Sequence, residues 1–146
     1  MFTDEYFMKI ALQEAKLAYK KGEIPVGAVI VSNNTIIAKA HNQTQQLNDF
    51  TAHAEMLAFT SASEYLANKY LKSCTLYVTL EPCNMCASAS AWTQIGKIVF
   101  GASDPKKGYS LYSPSLIHPK TKIVSGILES DCLSLLQDFF NSKRIH

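Results

Sequence analysis

The sequence has little arginine, no long hydrophobic run and no strong excess of either charge. Arg144 is the only arginine among 146 residues, and the formal net charge is +2. So mild a charge does not by itself indicate a nucleic-acid partner, and phosphate contacts would come mostly from lysines acting as point charges. The longest apolar stretch, around 26–31, is far shorter than the roughly 20 residues of a membrane-spanning helix. A membrane span and a strongly basic binding domain are therefore both poor interpretations.

Neither the length nor the composition calls for more than one ordinary domain. The chain has 47% hydrophobic and 18% charged residues, close to the average for globular proteins. We expect a single domain over residues 1–146 that folds without disulfides. Residues 1–5 lack the basic and apolar regions of a signal peptide, so we expect a cytoplasmic protein. The four cysteines should then stay reduced, which favours metal binding or catalysis.

The hydrophobic pattern predicts helices and strands that alternate along the chain. The predicted order is αββαβαβ, followed by a weak strand and a last helix, which implies a sheet covered on both faces. Residues 42–50 and 103–119 are expected to be loops. The predicted elements are a helix over 4–21, strands over 26–31 and 35–40, a helix over 51–68, a strand over 74–80, a helix over 82–94, strands over 97–101 and 123–124, and a helix from 130 onward.

Polar residues and a proline mark where the predicted helices begin. Thr3, Thr51 and Ser130 suit the N-cap position, because a short hydroxyl side chain can accept a hydrogen bond from an unpaired N–H of the first turn. Pro82 suits the first turn of the third helix. An adjacent pair of asparagines at 33–34 predicts the turn between the first two strands.

A Cys-x-x-Cys motif opens the third predicted helix, in Pro82-Cys83-Asn84-Met85-Cys86. The positive potential of a helix N-terminus favours the thiolate form that binds zinc. Two cysteines leave a tetrahedral site incomplete, and a third protein ligand plus water would make it a catalytic site. His53 also begins a predicted helix, so it can be that third ligand.

Glu55 lies two residues beyond His53. A carboxylate is not the preferred fourth ligand beside two thiolates, so we expect Glu55 to stay off the metal. There it can accept a proton from the attacking water, as a general base beside a Lewis-acidic metal must. The sequence therefore predicts a hydrolytic metal site.

Each of these motifs taken alone has a plainer interpretation. His-x-Glu arises by chance in a chain with four histidines, and Cys-x-x-Cys can be a redox pair, half of a structural zinc site or two buried cysteines. No βαβ unit of thioredoxin type leads into the motif, and a second cysteine pair is absent from the sequence. Cys74 and Cys132 are isolated, and we expect both in the core.

The two motifs together are far more specific than either one. His-x-Glu followed by Pro-Cys-x-x-Cys is the signature of zinc-dependent nucleobase deaminases. Longer strings around these motifs resemble the bacterial tRNA-specific adenosine deaminases, within the cytidine and deoxycytidylate deaminase-like superfamily. The resemblance covers nearly the whole chain and is carried by 23–29, 51–55, 75–83, 85–87, 98–102 and 138–140.

The resemblance implies an α/β, three-layer cytidine-deaminase-like fold, with a central mixed five-stranded sheet flanked by helices. It implies Zn²⁺ held by His53, Cys83 and Cys86, with Glu55 as the catalytic residue and no organic cofactor. It further implies a homodimer without a membrane partner, a tRNA anticodon loop as substrate, and conversion of the wobble adenosine to inosine.

Four residues match positions of this family that bind substrate. Asn42 matches an asparagine that contacts the flipped base, and Ala54 belongs to the same substrate-binding set. Asp104 and Lys106 match positions near the RNA. Without the resemblance, Asn42 is as readily a loop-capping asparagine, and the two charged residues are solvated loop charges.

Further basic and aromatic residues are candidates for RNA contact. Lys107, Lys143 and Arg144 can neutralise phosphates. Tyr109 and Tyr112 lie in the loop after the fourth strand and can either stack on splayed bases or pack against the domain.

The substrate remains open between several classes at this stage. Deaminases of free guanine, free cytosine or nucleosides would carry the same zinc site. A zinc-stabilised RNA-binding module without catalysis is a third interpretation. Glu55 argues against that module, because a structural zinc site needs no carboxylate outside the ligand set.

Overall fold

The computed structural model describes residues 1–144, which form four helices and five strands in the order expected from the sequence. None of these helices is long and apolar enough to cross a membrane. The elements are α1 Asp4–Lys20, β1 Gly27–Ser32, β2 Thr35–His41, α2 Ala54–Leu66, β3 Cys74–Leu80, α3 Asn84–Thr93, β4 Lys97–Ala102, β5 Lys122–Ser125 and α4 Glu129–Arg144.

The five strands form one mixed sheet in the order β2-β1-β3-β4-β5. Strand β1 pairs antiparallel with both β2 and β3, whereas β3–β4 and β4–β5 are parallel pairs. The predicted turn at 33–34 joins β1 to β2, and both asparagines have the positive φ angles that a tight hairpin turn requires. The mixed five-stranded sheet expected from the resemblance is confirmed.

Helices cover both faces of this sheet, because alternate residues of its inner strands face opposite ways. In β1, Ala28 and Ile30 join the core under α2, whereas Val29 and Val31 join the core under α1. Helices α1 and α4 pack on one face and α2 and α3 on the other. The three-layer α/β architecture is therefore as expected.

Helix α2 begins at Ala54, so the prediction that Thr51 caps it is wrong. The hydroxyl and the N–H of Thr51 both donate to Asp49 Oδ1, at 2.7 and 2.8 Å. The N–H of Ala54 donates instead to Asn42 Oδ1 at 2.8 Å. A side chain from the end of β2 therefore caps the helix in place of a neighbouring hydroxyl.

Helix α4 also begins elsewhere than predicted, at Glu129 rather than after a Ser130 cap. The N–H of Cys132 already donates to the Leu128 carbonyl at 3.0 Å, an i to i−4 bond that places Ser130 inside the first turn. The loop between β4 and β5 is irregular as expected, and it contains two single turns of 3₁₀ helix, Tyr109–Leu111 and Pro114–Leu116.

Candidate metal centre and active site

The first turns of α2 and α3 bring the predicted zinc ligands together. His53 occupies the N-cap of α2 and Cys83 the N-cap of α3, both with extended backbones. Helix α3 begins at Asn84 rather than at the predicted Pro82, which places Cys86 in its first turn. The His53 imidazole does not cap its own helix, and the Cys83 thiol bonds within α3 only to Cys86, itself a predicted ligand, so both side chains can face a shared ligand.

The spacing of the three ligand atoms fits a tetrahedral zinc ion. His53 Nδ1 lies 3.6 Å from Cys83 Sγ and 3.5 Å from Cys86 Sγ. Zinc bonds of about 2.3 Å to sulfur and 2.0–2.1 Å to nitrogen separate a tetrahedral N and S pair by about 3.6 Å. Three protein ligands leave one position of the tetrahedron for water or substrate, as in catalytic zinc sites. Over residues 1–144 this is the one group of three or more potential metal ligands.

The charges within this cluster favour a bound cation. The hydrogen bond from Cys86 lowers the pKa of Cys83 to about 4, and His53 acts in the same direction against desolvation. The same hydrogen bond, together with burial, raises the pKa of Cys86. The pKa of His53 is raised, chiefly by its hydrogen bond with Cys83, while burial of the imidazole and, to a smaller extent, the charge of Lys107 oppose that rise. The thiol pair therefore carries a negative charge that a metal cation can neutralise.

Glu55 is placed to move protons beside this cluster. Its side chain is buried, in the first turn of α2. Burial raises the pKa of the carboxyl to about 7, because the charged form is poorly solvated, although a hydrogen bond from its own backbone N–H opposes the shift. A carboxyl with a pKa near neutrality can both accept and return a proton at the pH of the cell.

Asn42 has the capping role that the sequence left open, while the amide nitrogen of its side chain is free to bind a substrate. Its Oδ1 accepts the Ala54 N–H, and the residue is only 8% exposed. Within residues 1–144, Asn42 Nδ2 donates to no protein atom. All fully buried side-chain nitrogen and oxygen atoms there have a hydrogen-bond partner, so Nδ2 must be partly exposed. The amide nitrogen therefore reaches solvent next to the N-terminus of α2, where it can donate to a substrate.

The charged residues after β4 form a compact turn beside the cluster. Asp104 Oδ1 accepts the N–H groups of Lys106 and Lys107, both at 3.0 Å, so this side chain is a loop cap. Both lysines are exposed. A bridge between Gly108 and Cys83 joins the turn to the metal-binding helix. Asp104 therefore caps its own turn and is more than the solvated loop charge that the sequence alone suggested, and this turn lies against the metal-binding helix.

The remaining RNA candidates behave differently from one another. Tyr109 is buried with its ring edge-on to Phe100, whereas Tyr112 is 59% exposed. Tyr109 therefore packs against the domain, and only Tyr112 is exposed enough to stack on a base. Lys143 lies over the ring of Phe139 on α4, and the side chain of Arg144 lies outside the described residues.

Sequence reasoning missed two buried carboxylates that organise the loops around the site. Glu23 is 1% exposed and accepts hydrogen bonds from the loop that follows β2. Glu81 is 4% exposed and accepts hydrogen bonds from the loop that follows β4. The available signal was a lone acidic residue in an apolar stretch beside a proline, as in Leu80-Glu81-Pro82.

Comparison with known proteins places this geometry in a family. Residues 1–102 match the cytidine and deoxycytidylate deaminase zinc-binding region. The tRNA-specific adenosine deaminase of Bacillus subtilis is 46% identical over 99% of this chain and 92% of its own. That of Aquifex aeolicus is 46% identical over 96% and 95%.

Solved structures agree with the sequence relatives. A structure from a study of A-to-I editing by tRNA:A34 deaminases at the wobble position of transfer RNA has a TM-score of 0.84 and 40% identity. It matches 90% of this chain and 99% of its own. Guanine deaminase from Nitrosomonas europaea has a TM-score of 0.84 at 21% identity, matching 95% of this chain and 85% of its own, which shows a common fold.

The family match and the His-Cys-Cys geometry define the class of protein: this is a zinc-dependent hydrolytic deaminase of the cytidine and deoxycytidylate deaminase family. Within that class, the particular family follows from the 46% identity with the two bacterial relatives over nearly the full length of the chain. The chain belongs to the tRNA-specific adenosine deaminases.

Zinc content tests the ligand set directly. We expect one zinc per chain in the purified protein, and Cys83→Ser or Cys86→Ser should lose most of it because each removes one of three ligands. Cys74→Ala is the matched control, since Cys74 is buried in the core away from the cluster and should keep the metal. Elemental analysis measures the metal, and full zinc content in both serine variants would contradict the assignment.

Proposed function

We propose that this protein deaminates the wobble adenosine of a tRNA anticodon to inosine, in the cytoplasm. The observation that carries the proposal is the meeting of His53, Cys83 and Cys86 at tetrahedral spacing beside the buried Glu55, in a member of this family. An unpaired base in an RNA loop can be splayed into a pocket without opening a duplex. The net reaction consumes water and releases ammonia.

The proposed chemistry divides between the ligand set and Glu55. His53, Cys83 and Cys86 would hold zinc, which supplies a Lewis acid that makes water nucleophilic near neutral pH. Glu55 accepts the proton of the attacking water and delivers it to N1 of the adenine ring. Once the oxygen has added to C6, Glu55 takes the second proton of that water from the new hydroxyl and passes it to the amine, so the C6–N bond breaks, ammonia leaves and the C6 carbonyl forms.

Substrate contacts in this proposal come from the residues around the cluster. The Asn42 amide donates to the flipped base, and Ala54, which is fully buried, contributes through its backbone N–H, which holds the Asn42 side chain in place. Asp104 shapes the turn that carries Lys106, whose charge meets the RNA backbone. Lys107 adds a second positive charge on the same turn.

Deamination of an anticodon stem-loop tests the function. A stem-loop with adenosine at the wobble position should be converted to inosine far faster than free adenosine, guanine or cytosine, and the rate should fall steeply with salt. Replacing Lys106 and Lys107 with alanine should weaken stem-loop binding and flatten the salt dependence while leaving zinc in place. Equal turnover of free bases without salt dependence would instead indicate a free-base deaminase.

Glu55→Gln tests the proton-transfer step. The amide fills the same volume but cannot take up a proton, so activity should fall by about 10²–10⁴-fold, at the upper end because the residue serves more than one step. Zinc content and thermal stability should stay near wild type. Glu64→Gln is the matched control, because Glu64 is exposed on the same helix. Near-full activity of Glu55→Gln would remove the base from the mechanism.

Asn42→Asp separates capping from base recognition. An aspartate can still accept the Ala54 N–H, and its charge suits the N-terminus of a helix, so the variant should fold and melt like wild type. It cannot donate to the base, so kcat/KM on the stem-loop should fall roughly 10- to 100-fold, the usual cost of a buried unpaired group. Asn42→Ala should lose both stability and activity. Unchanged kcat/KM in Asn42→Asp would leave Asn42 with the capping role alone.

We also propose that the protein is a homodimer that buries the exposed aromatic residues near the end of α3. Trp92 is 83% exposed and lines a surface cavity of about 620 Å³ with Tyr70. Large exposed aromatics of this kind are typical of interfaces. Trp92→Glu should lower the mass measured by light scattering to that of one 16.2 kDa chain. Phe140→Glu, on α4, is the control and should stay dimeric; a wild-type monomer would contradict the proposal.

A further inference from the structure

Glu81 carries a buried carboxylate that the chemistry above does not use. The residue follows β3 directly, and its side chain is 4% exposed. It is not among the clustered metal ligands, and no lysine whose side chain the structure describes forms an ion pair with it. A buried anion without a cationic partner depends on hydrogen bonds, so its donors show what it does.

All of its donors come from the turn after β4. Glu81 Oε1 accepts the N–H of Asp104 at 3.0 Å. Its Oε2 accepts the N–H of Ser110 at 3.1 Å and the Ser110 hydroxyl at 2.7 Å. One carboxylate therefore ties down both ends of the turn over 104–110.

The two lysines lie between these tied ends. The Asp104 carboxylate accepts the N–H groups of Lys106 and Lys107, so a continuous chain of hydrogen bonds runs from Glu81 to the lysine backbones. Gly108 packs directly on Glu81, since a Cβ at that position would overlap the carboxyl group. The turn has little freedom while the carboxylate is present.

The tied turn lies against the metal centre. The Tyr109 N–H donates to the Pro82 carbonyl at 2.9 Å, and Gly108 bridges to Cys83. The lysines are therefore held at the mouth of the site.

We propose that Glu81 is a positioning residue for RNA recognition, which fixes Lys106 and Lys107 where the phosphates next to the flipped base pass. The inference rests on the proposed function in tRNA deamination and assigns Glu81 to substrate specificity rather than to the chemical step. An RNA substrate gains from the fixed lysines, whereas a free base has no phosphates to meet them.

Glu23 provides a matched control on the other side of the site. It is 1% exposed and also accepts three hydrogen bonds from one loop: the N–H groups of Gln45 and Gln46 at 3.1 and 2.8 Å, and the Thr44 hydroxyl at 3.3 Å. Its loop, 43–50, contains no lysine or arginine. Substitution of either glutamate therefore removes a buried carboxylate that holds a loop. Only the loop held by Glu81 contains lysines.

Glu81→Gln replaces one accepting oxygen by an NH₂ group that faces N–H donors, so one end of the turn is released. We expect KM for the stem-loop to rise about tenfold, with kcat changed less than about threefold and zinc content unchanged. The slope of log binding constant against log salt should flatten by about 1.4, because each single-strand phosphate contact contributes about 0.7. Glu23→Gln should leave that slope unchanged.

A double-mutant cycle separates positioning from general loss of structure. If Glu81 acts through the lysines, adding Glu81→Gln to the Lys106→Ala/Lys107→Ala protein should change neither KM nor the salt slope further. Additive effects would overturn the inference. Ser110→Ala, which removes only the hydroxyl bond, is a milder variant if Glu81→Gln does not fold, and it should raise KM about two- to threefold.

The remaining outcomes distinguish this inference from the proposed function. If Glu81→Gln and Ser110→Ala both edit the stem-loop at the wild-type rate, with unchanged KM and salt slope, the role of Glu81 is overturned and the proposed function stands. Loss of zinc or a fall in kcat with KM unchanged in Glu81→Gln also overturns it, because the residue would then support the metal centre. Wild-type protein that neither binds nor edits the stem-loop overturns the proposed function, and this inference with it.

Discussion

Pairing of β1 with two neighbours at once sets the position of the active site. Strands β2 and β3 both run antiparallel to β1, so both end at its amino end, where Gly27 lies opposite His41 and donates its N–H to Thr79 Oγ1 at 3.2 Å. The chain leaves each of these two strands at the same edge of the sheet and enters a helix shortly afterwards. The N-termini of α2 and α3 therefore meet beside that edge, and the ligands on them converge.

Helices α2 and α3 both lack an ordinary side-chain N-cap, because their N-cap residues are predicted metal ligands instead. His53 and Cys83 stand at N-cap positions without capping their helices, because their side chains face each other. Asn42 supplies the missing acceptor for α2 from the end of β2. The positive ends of two helices then face a cluster that holds anionic thiolate, which stabilises the ligand form of the cysteines.

The chemistry of the site could be predicted from short motifs, whereas its surroundings could not. Local spacing was enough to predict His53, Glu55, Cys83 and Cys86 as one cluster, since each motif begins a helix. The bonds of Glu23 and Glu81 join residues more than twenty positions apart, so no local pattern contains them. The split between buried Tyr109 and exposed Tyr112 likewise depends on which side of a 3₁₀ turn meets Phe100. The prediction that Thr51 caps α2 was wrong for a similar reason, because Asn42, twelve residues before Ala54, accepts the N–H at the start of the helix.

The two pairings of β1 also differ greatly in the length of chain that each must close. The pairing with β2 needs only the two-residue turn at 33–34, whereas the pairing with β3 joins Ala28 to Val78. Short-range contacts form faster than long-range ones, since less chain entropy is lost on closure. As the polypeptide leaves the ribosome, α1 and the hairpin can order before Cys83 has been synthesised. A complete ligand set exists only once Cys86 has been synthesised, so zinc would meet a chain whose first helix and hairpin already lie upstream of the site, while β4, β5 and α4 are still to come.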